Sequence, residues 1–165
     1  MVSILLFAVV AVCARADEIS AQMPAAIAAP GETVVATLHA EGAQIYECKA
    51  GTDGKLTWEI HEPIATLFLD GKTIGRHYAG PTWEHIDGSL IVGKVIGIVF
   101  GATPNDIPWL RLEVTDRRGS GLLSGVITVQ RINTNGGTAQ GPCDNISTYL
   151  SVPYSAEYVF LAKGA

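Results

Sequence analysis

The chain has 165 residues, of which 48% are hydrophobic and 16% are charged, and its formal net charge at pH 7 is −5. This length suits one domain with a hydrophobic core, and the low charged fraction argues against intrinsic disorder. The acidic balance offers no basic footprint for nucleic acid or for an anionic membrane surface. We therefore expect a folded domain that binds no nucleic acid.

The first residues predict export. An apolar run over 2–12 is followed by Cys13-Ala14-Arg15-Ala16, which ends in a small-x-small tripeptide. This pattern is typical of a secretory signal peptide, and it is shorter than the about 20 apolar residues that span a bilayer. We place cleavage after Ala16, so that 1–16 is the signal peptide. The alternatives are a lipoprotein signal through Cys13, which Val12 disfavours because a small residue should precede the lipidated cysteine, and a buried N-terminal strand.

Cleavage after Ala16 leaves one all-β secreted domain over 17–165, in the extracellular space or the periplasm. Beyond the signal no apolar run approaches the length of a membrane span, so we expect no stable membrane insertion after cleavage. The segment 17–30 is rich in Ala and Pro, and we expect it to be a loosely attached leader.

Two cysteines, Cys48 and Cys143, remain after Cys13 leaves with the signal. Two thiols in an oxidising compartment usually pair, and two cysteines alone do not fill a tetrahedral zinc site. The alternative is two separate buried thiols. We predict a Cys48–Cys143 disulfide that joins the Gly-rich segment before the last strand to the start of the fold.

The spacing of Gly and Pro favours strands along the whole chain. After Gly31, no stretch between consecutive Gly or Pro residues is longer than ten residues. Strands average about 5–6 residues and helices about 11–12, so such stretches suit strands. Apolar and polar residues alternate over 56–60 and 110–115, which predicts strands with one buried face. The run 91–100 is apolar on both faces, which is typical of a strand in the middle of a fold.

Tight turns are predicted between these segments. Asp-Gly pairs at 53–54, 70–71 and 87–88 are flanked by strand-like residues, and both residue types tolerate positive φ. Short strands joined by hairpins predict an all-β fold. We expect an antiparallel β-sandwich or barrel of about ten short strands.

The densest polar cluster, over 75–89, is the candidate site. If 79–81 form a three-residue hairpin loop, Tyr78 faces Thr82, His77 faces Trp83 and Arg76 faces Glu84. Because side chains alternate along a strand, four of these residues would share one face. They are His77, Trp83, His85 and Asp87.

Two interpretations of this cluster stay open. One is a divalent metal site formed by His77, His85 and Asp87, or a polar pocket floored by Trp83, with His61 delivered by a neighbouring strand. The other is a packed histidine–tryptophan pair, a surface Arg76–Glu84 ion pair and an aspartate capping a turn. We favour the second, since hairpins alone commonly produce such pairs. A sugar platform built on Trp83 is a third, weaker hypothesis.

Five motifs in the chain resemble a known family. They are the AQIYEC stretch over 43–48, GxHYAGPTWExxDGS over 75–89, IPWL over 107–110, QRxxTxGG over 130–137 and YSAEY over 154–158. Together they are similar to an uncharacterised family of secreted proteins, a domain of unknown function found in bacteria and fungi. The resemblance implies an exported domain that covers most of the mature chain, and it carries over no catalytic residue.

The sequence supports two hypotheses for function. The first is a non-enzymatic secreted or cell-envelope β-domain that binds a small ligand or a surface partner and needs no cofactor. The second is a metal-dependent protein or enzyme that uses His77, His85 and Asp87.

Overall fold

The structure is a computed structural model that describes residues 23–164, which form eight strands. The strands are β1 (Glu32–Ala50), β2 (Leu56–Leu69), β3 (Lys72–Tyr78), β4 (Thr82–His85), β5 (Leu90–Val99), β6 (Trp109–Arg118), β7 (Val126–Gly136) and β8 (Tyr149–Lys163). Each strand is antiparallel to the next, and β1 also pairs with β8, so the sheet closes into a barrel. The predicted all-β antiparallel fold is confirmed. The predicted signal peptide, 1–16, and leader residues 17–22 lie outside the described residues.

The strands are fewer and longer than the predicted ten short ones. β1 has 19 residues and runs through Gly42, and β2 has 14 residues and runs through Pro63. Gly42 lies where β1 passes so close to β2 that a Cβ would overlap the carbonyl oxygen of Ile64. Pro63 lies where β2 has no β3 partner, in the edge position that proline tolerates. These residues therefore allow strands to continue where a break was expected.

The three Asp-Gly pairs form turns as predicted. They connect β1 to β2, β2 to β3 and β4 to β5. Gly54, Gly71 and Gly88 all have positive φ, between 73° and 87°. Because each strand runs antiparallel to the next, the four loops after β1, β3, β5 and β7 lie at one end of the barrel.

We call this end the disulfide end, because the loop after β7 carries Cys143.

The predicted disulfide is confirmed at this end. Cys48 on β1 is bonded to Cys143 in the loop between β7 and β8, with the two Cα atoms 5.8 Å apart. Both residues are buried. Hydrogen bonds from the Cys48 N–H to the Thr148 carbonyl and from the Ser147 N–H to the Cys48 carbonyl hold the same loop to β1. The long Gly-rich segment before β8 is thus joined to the end of β1.

The expectation of a loosely attached leader is wrong for residues 23–30. Ile27 is fully buried, and it forms a second apolar cluster on the outside of the barrel with Ile132, Val159 and Leu161. The Gln130 side chain donates a hydrogen bond to the Ile27 carbonyl at 2.6 Å. The segment 23–30 therefore removes apolar side chains on the outer faces of β7 and β8 from water, which is favourable.

The barrel wall has an opening on one side, which we call the side notch. β3 pairs with β2 only over Ala65–Leu69, and β4 pairs with β5 only up to Val92. Toward the disulfide end, the remaining parts of β2 and β5 therefore lack a neighbour on that side. The prediction of buried faces fails here, because Ile60 is 54% exposed and Ile98 is 58% exposed.

Candidate functional site

The β3–β4 hairpin has the predicted register. Arg76 pairs with Glu84, His77 with Trp83 and Tyr78 with Thr82. The Thr82 hydroxyl donates to the Ala79 carbonyl at 2.8 Å and closes the three-residue loop. Because side chains alternate, His77 and Trp83 point into the barrel while the partners on either side point outward.

His77 and Trp83 form a stacked pair in the interior. Their ring centroids are 4.6 Å apart and their planes differ by 14°. Tyr158 on β8 contacts both rings, at centroid distances of 4.9 Å and 5.5 Å. The three aromatic side chains are each at most 2% exposed. Trp83 is therefore no exposed platform for a sugar, and it packs against His77 as the favoured interpretation predicts.

The protonation state of His77 follows from its surroundings. Its Nδ1 lies 2.8 Å from the Thr82 carbonyl oxygen, which only accepts, so Nδ1 carries the proton. Burial lowers the pKa of His77 to about 3, and the Thr82 hydrogen bond only partly opposes this effect. His77 is therefore neutral near pH 7, and its Nε2 is a hydrogen-bond acceptor.

His85 and Asp87 lie together, but at the opposite end of the barrel from the disulfide. His85 Nδ1 is 2.9 Å from Asp87 Oδ2. Asp87 also accepts from the Ser89 hydroxyl at 2.6 Å and from the Ser89 and Leu122 N–H groups at 2.8 Å. These bonds, the Ser89 hydroxyl above all, hold the pKa of Asp87 well below its usual value. The aspartate caps its own turn and ties that turn to the loop between β6 and β7.

This Ser–His–Asp cluster does not have the geometry of a nucleophilic triad. Ser89 is fully buried, and its hydroxyl donates to Asp87 while accepting from the Leu123 N–H. A nucleophilic serine donates instead to the histidine that acts as its base. The cluster therefore serves to hold two loops together.

The three predicted metal ligands are divided between two places. His77 lies in the aromatic cluster, whereas His85 and Asp87 form the turn cap; His61 lies against Tyr149. Within residues 23–164, no three His, Cys, Asp or Glu side chains are grouped to hold a metal ion. Metal binding by these residues stays a prediction, which elemental analysis of the purified protein would test.

A cavity of about 490 Å³ occupies the barrel interior toward the disulfide end. All eight strands contribute to its wall, and the lining is mostly apolar and aromatic. Of the residues that line it, Ile60 and Val95 are 54% and 39% exposed, so the cavity opens between them at the side notch. Its volume lies in the range of about 300–1,000 Å³ that is usual for small-molecule sites.

Polar groups in this wall lack partners. Gln44 is 4% exposed and Trp83 is 1% exposed, and neither Gln44 Nε2 nor Trp83 Nε1 has a hydrogen-bond acceptor among the described residues. Buried donors without acceptors are rare in proteins, and each one needs an explanation. Both side chains line the cavity.

Arg131 brings the cavity its charge. Its Nε and Nη2 donate to the Pro108 carbonyl at 3.0 Å and 2.9 Å, and these bonds tie the side chain to the residue that directly precedes β6. Its charge also lowers the pKa of Tyr46, which lines the same cavity, although burial dominates and raises that pKa overall. Sequence reasoning missed Gln44, Arg131 and Tyr158, although each belongs to one of the motifs described above.

Fold and cavity together define a class: a closed, eight-stranded antiparallel barrel with a largely apolar internal cavity. Eight strands give a barrel whose interior is either filled by side chains or holds one small ligand. The chain belongs to the family described as Protein of unknown function (DUF3455), whose model matches residues 28–162. No curated protein and no solved structure matches the chain significantly. The family is one of unknown function, as the resemblance implied.

Proposed function

We propose that the protein is an exported binding module that takes a small, largely apolar ligand into the barrel cavity. The observation that carries this proposal is the cavity of about 490 Å³ with two buried N–H donors in its wall that have no acceptor. The apolar part of a ligand would bury surface in this space, and an acceptor group that reaches Gln44 or Trp83 would satisfy a donor that no described residue satisfies.

The location of the motifs supports the same proposal. Each of the five motifs on which the family resemblance rests contributes at least one residue to the lining of the cavity. These residues include Tyr46, His77, Pro108, Arg131 and Tyr158. Sites far apart in sequence therefore converge on one space inside the barrel.

The side notch supports a route of entry. A ligand that enters between Ile60 and Val95 passes exposed apolar side chains and needs no strand to separate from its neighbour. The other end of the barrel is closed by buried side chains, among them Leu123, Val126 and Phe160.

Fluorescence titration with a neutral hydrophobic probe, N-phenyl-1-naphthylamine, tests the proposal. We expect saturable binding of one probe per chain. The variant Val95→Trp places a bulky side chain at the notch and should abolish binding. Lys94→Trp, at an exposed position of the same strand where neither Lys94 nor its partner Glu113 lines the cavity, should preserve it. Absence of saturable binding both by this probe and by its sulfonated analogue, 8-anilinonaphthalene-1-sulfonate, or equal binding by both variants, would overturn the proposal.

Export is part of the proposal. The Cys48–Cys143 disulfide is typical of an oxidising compartment, and no helix within residues 23–164 is long and apolar enough to cross a membrane. We propose cleavage after Ala16 and release outside the cytoplasm. N-terminal sequencing of the protein from culture medium or periplasm should begin at Asp17. An intact chain found only in the cytoplasm would contradict this.

A further inference from the structure

The charged groups around the cavity are unbalanced. Arg131 is the one residue with a permanent charge that lines it, and the ion pairs found among residues 23–164 include none with Arg131. His77 is the other basic residue in the lining, and it is neutral. A partly buried charge without a counter-ion is unfavourable unless something supplies the opposite charge.

The hydrogen bonds of Arg131 position its guanidinium without neutralising it. The Pro108 carbonyl accepts from Nε and Nη2, and a carbonyl carries no formal charge. The guanidinium has five N–H groups in a planar fork, so donors remain after these two bonds and its contact with the Tyr158 side chain. Such a fork suits the two or three oxygens of a carboxylate or a sulfonate.

The unpartnered donors in the same wall have the same preference. Gln44 Nε2 and Trp83 Nε1 both need acceptors. Four aromatic side chains also line the cavity: Tyr46, His77, Trp83 and Tyr158. Rings arranged in this way pack well against a flat apolar body.

We infer that the ligand is a small organic anion, with one acidic head that binds near Arg131, Gln44 and Trp83 and an aromatic or similarly flat body in the apolar part of the cavity. This inference rests on the proposed function, because it specifies the ligand of the same cavity. It predicts a selectivity that an apolar cavity by itself would not have, since desolvating an anion is costly where no cation compensates.

Two probes with the same body test this selectivity. 8-Anilinonaphthalene-1-sulfonate carries a sulfonate, and N-phenyl-1-naphthylamine has the same rings without it. We expect the exported wild-type protein to bind the sulfonate at least about tenfold more tightly than the neutral probe. If the neutral probe binds equally or more tightly, the inference fails while the proposed function stands. If neither probe binds in a manner sensitive to Val95→Trp, the proposed function fails as well.

Substitution of Arg131 tests whether the acidic head of the ligand binds beside its guanidinium. Arg131→Met should weaken binding of the sulfonate probe by about tenfold to a hundredfold and change binding of the neutral probe by less than about twofold. Arg118→Met, at the exposed end of β6, is the matched control and should change neither. Equal weakening of both probes by Arg131→Met would overturn the inference.

Gln44→Leu provides a second test that does not depend on the Pro108 contact. It should weaken binding of the sulfonate probe several-fold and leave binding of the neutral probe equal or tighter. If Arg131→Met does not fold, Gln44→Leu and the relative affinity of the wild type for the two probes test the inference. Unchanged selectivity of Gln44→Leu would contradict the placement of the acidic head beside Gln44, and a wild type that shows no preference would refute the anionic ligand.

Discussion

The imidazole of His77 lies flat on the indole of Trp83, with the ring centroids 4.6 Å apart. The two residues face each other across the β3–β4 hairpin, and Tyr158 from β8 packs against both. This arrangement joins the β3–β4 hairpin to the far side of the barrel. It also forms the aromatic part of the cavity wall, so the packing that stabilises the hairpin shapes the site as well.

His77 should not titrate in the physiological range. Burial lowers its pKa to about 3, so we expect the Nδ1–H tautomer and no change in its ¹⁵N shifts between about pH 5 and 8. The unfolded chain takes up a proton at this ring near the ordinary value of 6.5. The contribution of His77 to the free energy of unfolding should therefore fall by about 1.4 kcal/mol per pH unit between these two pKa values as the pH is lowered. A His77 ring that titrates above pH 5 in the folded protein would contradict the neutral assignment.

Asp87 should add a separate acid dependence. Its pKa is lowered in the folded state, so its stabilising contribution is complete above the ordinary value of 3.8 and is lost as the pH falls below it. We expect Asp87→Asn to lower the melting temperature at pH 7 and to flatten its decline below about pH 4. Asp70→Asn, in another Asp-Gly turn, is the control. Parallel melting curves of wild type and Asp87→Asn across this range would contradict the capping role.

Replacing Gln44 should stabilise the ligand-free protein. Its Nε2 has no acceptor, and an unsatisfied buried donor costs about 1–3 kcal/mol. We expect Gln44→Leu to raise the free energy of unfolding by about 1 kcal/mol in urea titrations. Gln130 is equally buried but donates to the Ile27 carbonyl at 2.6 Å, so Gln130→Leu should lower the free energy of unfolding instead. Destabilisation of similar size by both changes would show that Gln44 has a partner in solution.

Removal of the disulfide should be strongly destabilising. Cys48 and Cys143 are 95 residues apart, and closing a loop of that length is worth about 4–5 kcal/mol in the chain-entropy model. We expect the Cys48→Ser, Cys143→Ser double variant to lose a large part of its free energy of unfolding. In the unreduced wild type, peptide mass spectrometry after alkylation should find neither cysteine modified. Alkylation of both before reduction would refute the bond.

Gly42 should tolerate no side chain. A Cβ at this position would overlap the backbone of Ile64 and Ala65, which moves only if the pairing of β1 with β2 shifts. We expect Gly42→Ala to lower the free energy of unfolding by at least about 2 kcal/mol. Gly125→Ala is the control, because nothing lies within 4 Å of a Cβ there. Equal stability of the two variants would show that β1 and β2 separate easily at this point.

Local rules predicted the elements whose partners are near in sequence. The register of Arg76–Glu84 depends only on a three-residue loop and on alternation along two adjacent strands, and the structure has that register. The Asp-Gly turns depend on positive φ at a single position. The disulfide followed from counting thiols once Cys13 was assigned to the signal.

The cavity could not be predicted from the alternation of apolar and polar residues, because it depends on contacts between strands distant in sequence. A period of two shows which residues share a face, but it does not show which strands close the sheet or where a wall has an opening. Gln44, Arg131 and Tyr158 meet only because β8 pairs with β1 and with β7. The burial of Ile27 likewise depends on the outer faces of β7 and β8, more than 100 residues further along the chain.

The sequence by itself thus determined the all-β class, the Asp-Gly turns, the β3–β4 hairpin and the disulfide, because each depends on neighbouring residues or on a count, whereas the number and length of the strands did not follow from it. Tertiary structure decided that the strands close into a barrel and that the β3–β4 hairpin is too short to complete its wall. It also decided that Arg131 lines an apolar cavity with no carboxylate paired to it among the described residues. These features arise from pairings between distant segments, whose free energy depends on the whole sheet rather than on any local pattern.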